Sequence, residues 1–125
     1  LLADATHGLW VGSYRGVSLL GAGGRRDLLV FDDDGSSAEV RALARGAGDT
    51  AWAATNRGLW QIDAARGSAV RVPIGSTRSF GAVLPLADGT VWVGAADGVH
   101  VRGQDGSWQR RWPGPGTTEA DIEVL

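Results

Sequence analysis

The 125-residue chain contains no cysteine and no lysine, and both absences limit its chemistry. Without cysteine there is no disulfide framework, no thiolate zinc site and no cysteine nucleophile. All twelve basic residues are arginine, and the net charge of −2 argues against nucleic-acid binding, which normally requires a basic patch. No apolar run approaches the roughly 18 residues of a membrane-spanning helix, so no membrane span is predicted.

Sequence motifs for catalysis or metal binding are also missing. There is no nucleophile elbow, phosphate-binding loop or metal-binding helix motif. The acidic run Asp32–Asp34 before Gly35 lacks the spaced ligands of a calcium loop and is predicted to be a solvated turn. His7 and His100 have no partner motif and are predicted to be ordinary turn and strand residues. We therefore predict no catalytic residue, no metal site and no cofactor.

What the sequence does have is a repeat. Each of three similar segments contains a Trp and, six residues later, a Gly, and the Trp-to-Trp spacing is 42 and then 40 residues. The structural repeat residues are Trp10 and Gly16, Trp52 and Gly58, and Trp92 and Gly98. A period near forty that is made only of short strands and tight turns is typical of β-propeller blades.

The predicted fold is all-β, with about three four-stranded propeller blades in a single segment that spans residues 1–125. The blades cover approximately 1–31, 40–72 and 80–112, and residues 113–125 form a linker followed by the first strand of a further blade. The first blade is predicted to lack its innermost strand. The strand Ile122–Leu125 of one copy could complete the first blade of another.

Three blades cannot close a ring, because propellers need at least about four. An open arc of three blades leaves two apolar faces in water. We therefore expect further blades as partners, either from identical chains in a dimeric or trimeric ring, or from the rest of a longer receptor. The sequence leaves both alternatives open.

Two of the repeat segments resemble the two-component regulator propeller repeat. They are Gly8–Val17 and Asp88–Val99, while the middle copy departs from the pattern at Ala53-Ala54. The resemblance implies a ligand-sensing module, periplasmic or extracellular, in a bacterial receptor whose output is a kinase or a cyclic-dinucleotide synthase. The repeat of that family carries no catalytic residues, so none is transferred here.

Candidate binding residues lie in the turns between second and third strands and in the blade-to-blade connections. These segments line the channel entrance of a propeller, and here they differ between blades while the scaffold repeats. The candidates are Tyr14, Arg15, Asn56, Arg57, Arg78 and Asp97. Their arginines could bind a carboxylate or sulfate through paired N–H groups, and the alternative is that they are solvated turn residues.

The tryptophans allow two interpretations. The three repeat indoles either stack on sugar rings or pack between blades, and their fixed mid-strand position favours packing. Trp108 and Trp112 fall in an outer strand, where exposure and a binding role are more plausible.

Three functional hypotheses follow. The first is a non-enzymatic sensor propeller that binds a small molecule or glycan. The alternative is a lectin-like glycan-binding ring assembled from identical three-blade chains. The third is a propeller glycosidase or lyase, which the sequence supports least because Glu39, Glu119 and Glu123 all lie near connections rather than in the repeat.

Overall fold

The computed structural model describes residues 1–31, 39–75 and 79–112, which contain twelve β-strands and no helix. The first sheet consists of β1 (Leu2–Asp4), β2 (Gly8–Ser13), β3 (Gly16–Gly21) and β4 (Gly24–Val30). The middle sheet consists of β5 (Val40–Arg45), β6 (Thr50–Thr55), β7 (Gly58–Asp63) and β8 (Ser68–Val72). The third sheet consists of β9 (Phe80–Pro85), β10 (Val91–Ala95), β11 (Gly98–Arg102) and β12 (Trp108–Trp112). A membrane-spanning helix is accordingly not found among the described residues.

Each sheet is an antiparallel meander in which consecutive strands pair. The three repeat tryptophans occupy the same place in this pattern: on the second strand, Trp10 pairs with Leu19, Trp52 with Gln61 and Trp92 with Val101 of the third strand. The predicted all-β class and the three four-stranded, propeller-like blades are confirmed.

The first sheet differs from the prediction that it lacks its innermost strand. Residues Leu2–Asp4 form that strand, with Leu2 opposite Trp10 and Asp4 opposite Gly8. The strand is short, and no described residue pairs with Val11–Ser13 on this edge. Asp4 is buried and binds several partners, which holds these few residues in the sheet. The predicted linker and strand within 113–125 lie outside the described residues.

The repeat glycines are required by the turns that follow the second strands. Gly16 has φ 135°, and its counterparts Gly58 and Gly98 have φ 121° and 136°. This backbone conformation is strained for residues with a Cβ. A Cβ on Gly16 would also collide with the carbonyl oxygen of Leu29. The Trp–Gly spacing therefore marks a strand followed by a tight hairpin turn.

The middle sheet is packed on both faces, so its strand β6 is apolar on both sides. Ala51 and Ala53 belong to a core cluster with Trp10 of the first sheet. Trp52 and Ala54 point to the opposite face and belong to a second cluster with Val91 and Val93 of the third sheet. The tryptophan of one sheet thus packs against the next sheet along the chain, as in successive propeller blades.

Small residues two positions after the tryptophan allow the innermost strand of the next sheet to approach closely. An added Cβ on Gly12 would lie 2.6 Å from Val40 Cγ1 at the start of β5. The counterpart of Gly12 in the middle sheet is Ala54, which shares a core cluster with Phe80 at the start of β9.

Candidate functional site at the turn end of the sheets

The turns that follow the second strands all lie at one end of their sheets, which we call the turn end. Each turn makes a backbone hydrogen bond with a segment that enters or leaves a sheet. The bonds run from Phe31 N to Arg15 O at 2.8 Å, from Asn56 N to Glu39 O at 3.2 Å and from Ala96 N to Ser79 O at 3.0 Å. The predicted turns and the described parts of the connections therefore lie together, and the middle and third sheets make the same bond, from the first turn residue to the residue just before the first strand.

Asn56 and Arg57 contact Glu39 and Phe31, the described residues on either side of the connection between the first two sheets. The Asn56 side-chain oxygen accepts a hydrogen bond from Glu39 N at 2.9 Å. The Arg57 guanidinium carbon lies 5.4 Å from the centre of the Phe31 ring, which is the range of a cation–π contact. Arg57 N donates to Thr55 Oγ1 at 2.9 Å, which fixes the turn. Both predicted residues therefore have a structural role that the sequence did not indicate.

Arg41 extends this arrangement to the third sheet. Its guanidinium donates to Ser79 Oγ at 2.7 Å and to Glu39 Oε2 at 3.3 Å. The second of these bonds is an exposed ion pair, which contributes little to stability. Sequence reasoning missed Arg41 because its partner Ser79 is 38 residues away and no local pattern marks the pair.

Tyr14 and Arg15 form the exposed part of the turn end. Tyr14 is 70% exposed, and the Arg15 guanidinium carbon lies 5.6 Å from the centre of its ring. The backbone N–H of Arg15 donates to Ser13 Oγ at 3.2 Å. Among the described residues, no carboxylate pairs with the Arg15 side chain. The turn thus presents an aromatic ring and a guanidinium to solvent.

Asp97 is held by His100, at 2.8 Å between Oδ1 and Nε2. His100 is buried, so it is a structural partner of the β10–β11 turn rather than an ordinary strand residue. The sixth candidate, Arg78, lies outside the described residues. So do the connection residues 32–37 and 76–78, including the acidic run Asp32–Asp34, and also 114–119.

A second polar cluster, at the opposite end of the sheets, was not predicted. The Asp4 carboxylate accepts from Trp10 Nε1 at 3.0 Å and lies 2.7 Å from His7 Nδ1 and 2.8 Å from an Arg45 nitrogen. His7 Nε2 lies 2.7 Å from Asp49 Oδ1. His7 is therefore not an ordinary turn residue, because it links the first and middle sheets. Little in the sequence indicated this contact, because His7 and Asp49 are 42 residues apart.

The titration of this opposite-end cluster follows from its contacts. Burial alone would raise the pKa of Asp4, but hydrogen bonds from Trp10, from His7 and from the backbone together outweigh it and hold that pKa well below the usual range. The hydrogen bond to Asp4, followed by the one to Asp49, raises the pKa of His7 above its ordinary value of 6.5. A protonated His7 between two carboxylates stabilises the contact between the two sheets.

Two of the tryptophans outside the repeat position, Trp60 and Trp108, pack between sheets. Trp108 is half-buried and meets Trp52 edge to face, with ring centres 6.4 Å apart, so its predicted exposure is wrong. Trp60 meets Phe31 in the same way at 6.2 Å. Aromatic contacts of this kind contribute about 0.5–1.5 kcal/mol beyond the area they bury.

Comparisons of the chain with protein-family models, with curated proteins and with solved structures gave no match.

Proposed function

We propose that the chain is a non-enzymatic, ligand-binding propeller module whose ligand contacts the turn end. The observation that carries the proposal is the variation at this end on a repeated scaffold. Each of the three equivalent turns makes one backbone hydrogen bond with a residue that enters or leaves a sheet, through Arg15 O in the first sheet and through Asn56 N and Ala96 N in the other two. The turns present different side chains: Tyr14-Arg15, Asn56-Arg57 and Ala96-Asp97. Loops that vary on a rigid scaffold are where binding specificity is usually built.

The chemistry of the turn end favours an anionic ligand with ring faces. Arg15, Arg41 and Arg57 bring three guanidinium groups to this end, against the carboxylates of Glu39 and Asp97 in the described part of the chain. Guanidinium groups bind carboxylates and sulfates through paired N–H donors. The exposed Tyr14 ring supplies an apolar face of the kind on which sugar rings stack. An acidic saccharide combines both features.

The resemblance of the Trp-Val-Gly segments to two-component regulator repeats supports a role in signalling. We place the module in the periplasmic or extracellular part of a bacterial receptor, where binding is passed to a kinase or a cyclic-dinucleotide synthase. In this role the chain contributes recognition, and the output chemistry belongs to other domains.

The test is calorimetric titration with uronate-containing and sulfated oligosaccharides, with neutral oligosaccharides of equal length as reference. Arg15→Ala and Arg57→Ala each remove a charged donor, and charged hydrogen bonds contribute about 1.5–3 kcal/mol, so each variant should lose about tenfold or more in affinity. Arg66→Ala is the control, because Arg66 is exposed in the β7–β8 turn at the opposite end. Equal affinity for neutral and acidic oligosaccharides, or wild-type affinity in both variants, would contradict the proposal.

A lectin-like ring of identical chains is the second candidate, and one observation favours it. The first and third sheets each keep an apolar face in solvent, which a further sheet of the same repeat could cover. Glycan binding at several equivalent sites per assembly, measured as the stoichiometry of the same titrations, would favour this alternative over a sensor with one site.

A further inference from the structure

The three repeat tryptophans have the same place in their sheets but different environments. Trp10 is 0% exposed and Trp52 is 3% exposed, whereas Trp92 is 40% exposed. Trp10 is covered by the middle sheet and Trp52 by the third sheet. Leu84, which lies opposite Trp92 on β9, is 58% exposed. The Trp92 face of the third sheet therefore has the chemistry of a sheet-to-sheet contact without the covering sheet.

The first sheet carries the complementary open face. In the middle and third sheets, the residues immediately before and after the tryptophan in the sequence face the preceding sheet. These residues, Ala51, Ala53, Val91 and Val93, are buried. Their counterparts in the first sheet, Leu9 and Val11, are only partly buried. Next to them, Leu20 pairs with Leu9 and is 42% exposed. The molecule therefore presents both halves of a contact that it already makes twice internally.

In this repeated contact, one position on the third strand packs near the tryptophan of the preceding sheet. Ile62 is the residue of the middle sheet that pairs with Ala51, and it packs in the same core cluster as Trp10. Its counterpart in the third sheet, Arg102, places its guanidinium carbon 5.7 Å from the centre of a Trp52 ring. The counterpart in the first sheet is Leu20. Leu20 is therefore an exposed residue at the position that, in the other two sheets, covers the tryptophan of the preceding sheet.

We infer that a second copy of this chain covers the Trp92 face with the open face of its first sheet, so that Leu20 of one copy packs on Trp92 of the next. The contact is head-to-tail, because two different faces meet, and a head-to-tail contact gives a ring when its rotation closes. In the part of the chain that the structure describes, no strand pairs with β2 at Val11–Ser13 on the edge next to β1 of the same sheet.

The head-to-tail geometry makes a mixing experiment decisive. The full chain is prepared with Leu20→Asp and, separately, with Trp92→Asp, and the molar mass is measured by light scattering on a sizing column. Each variant damages every copy of the contact, so each alone should have the monomer mass of 13.0 kDa. In an equimolar mixture, one intact contact remains between the undamaged faces of the two variants. The mixture should therefore form a one-to-one dimer of twice that mass.

The controls separate loss of association from loss of fold. Val70→Asp changes an exposed apolar residue of β8, outside both open faces, and should keep the wild-type mass. Circular dichroism checks that each variant is folded, and Leu84→Asp replaces Trp92→Asp if the latter is not. The inference is overturned if the wild-type chain is monomeric, if either folded variant keeps the wild-type mass, or if the mixture stays monomeric. None of these outcomes bears on ligand binding at the turn end.

Discussion

His7 of the first sheet and Asp49 of the middle sheet are joined by a contact of 2.7 Å between Nε2 and Oδ1. The other ring nitrogen of His7 lies 2.7 Å from the buried carboxylate of Asp4. Each sheet thus contributes one carboxylate to the same imidazole, so a protonated His7 stabilises the contact between the two sheets.

Stability is predicted to fall as the pH rises above neutrality. The pKa of His7 is raised in the folded protein, chiefly by Asp4 and then by Asp49, above its ordinary value of 6.5. The stabilisation is therefore fully present below about pH 6.5 and is lost as the pH rises through the raised pKa of the folded state. Urea unfolding at about pH 6 and about pH 9 measures the loss. His7→Gln should reduce this pH dependence, and an unchanged slope in that variant would contradict the assignment.

Asp4→Asn is predicted to lower the melting temperature by several degrees at neutral pH. The variant removes the charge that Arg45 and protonated His7 face, while it keeps the size of the side chain. An unpaired group in a buried site is more costly than a lost surface ion pair. Asp27→Asn is the control, since Asp27 forms an exposed pair with Arg25 and should change the melting temperature little. Equal effects of the two variants would refute a central role for Asp4.

The low pKa of Asp4 has its own consequence at acid pH. This carboxylate stabilises the fold above its ordinary pKa of 3.8, and the contribution is lost as the pH falls through the depressed value of the folded state. The free energy of unfolding, followed by circular dichroism, should therefore fall more steeply with decreasing pH in wild type than in Asp4→Asn, because the variant has already lost this contribution. A wild-type stability that is flat below pH 3.8 would contradict this prediction.

Equivalent tryptophan substitutions should have unequal effects. Trp10→Ala is expected to lower the free energy of unfolding by about 3–5 kcal/mol, because Trp10 is fully buried. Trp92→Ala should cost clearly less when it is measured at concentrations where the chain is monomeric, because that indole is 40% exposed. Urea unfolding of both variants gives the comparison, and equal costs would mean that Trp92 is covered within a single chain.

The close approach of β5 to the first sheet can be tested with one methyl group. Gly12→Ala places a Cβ 2.6 Å from Val40 Cγ1 and should destabilise by about 1–3 kcal/mol, as overpacking does. Gly81→Ala is the matched control, since no atom lies within 4 Å of a Cβ added there. The control should be neutral or slightly stabilising in urea unfolding. If Gly12→Ala left the free energy of unfolding unchanged, Gly12 and Val40 would have to lie further apart than this close approach.

Local patterns in the sequence were sufficient to predict the three sheets. The Trp–Gly spacing identifies a strand and its turn, since positive φ at Gly16 and its counterparts is a property of a few consecutive residues. The strand β1 was not predicted, because Leu2–Asp4 is too short for a pattern and is held by contacts of Asp4 with Trp10 and Arg45. Long-range partners of this kind leave no local signal in a single sequence.

For the candidate site, the sequence predicted the turns but not the contacts of their side chains. The turns that carry Arg15, Arg57 and Asp97 were identified because they vary on a repeated scaffold. Their partners, such as Phe31 for Arg57 and His100 for Asp97, became visible only in the structure. Position in a blade can be deduced from a repeat, whereas the contacts of a side chain depend on how neighbouring sheets meet.

The measurement that tests the account most directly is the molar mass of the wild-type chain in solution. If the third sheet presents the tryptophan face of a sheet-to-sheet contact and the first sheet presents its complement, the chain should associate. Light scattering on a sizing column should then give two or three times the chain mass of 13.0 kDa, unchanged on moderate dilution. A mass of 13.0 kDa at every concentration would contradict the head-to-tail contact between the Trp92 face and the first sheet.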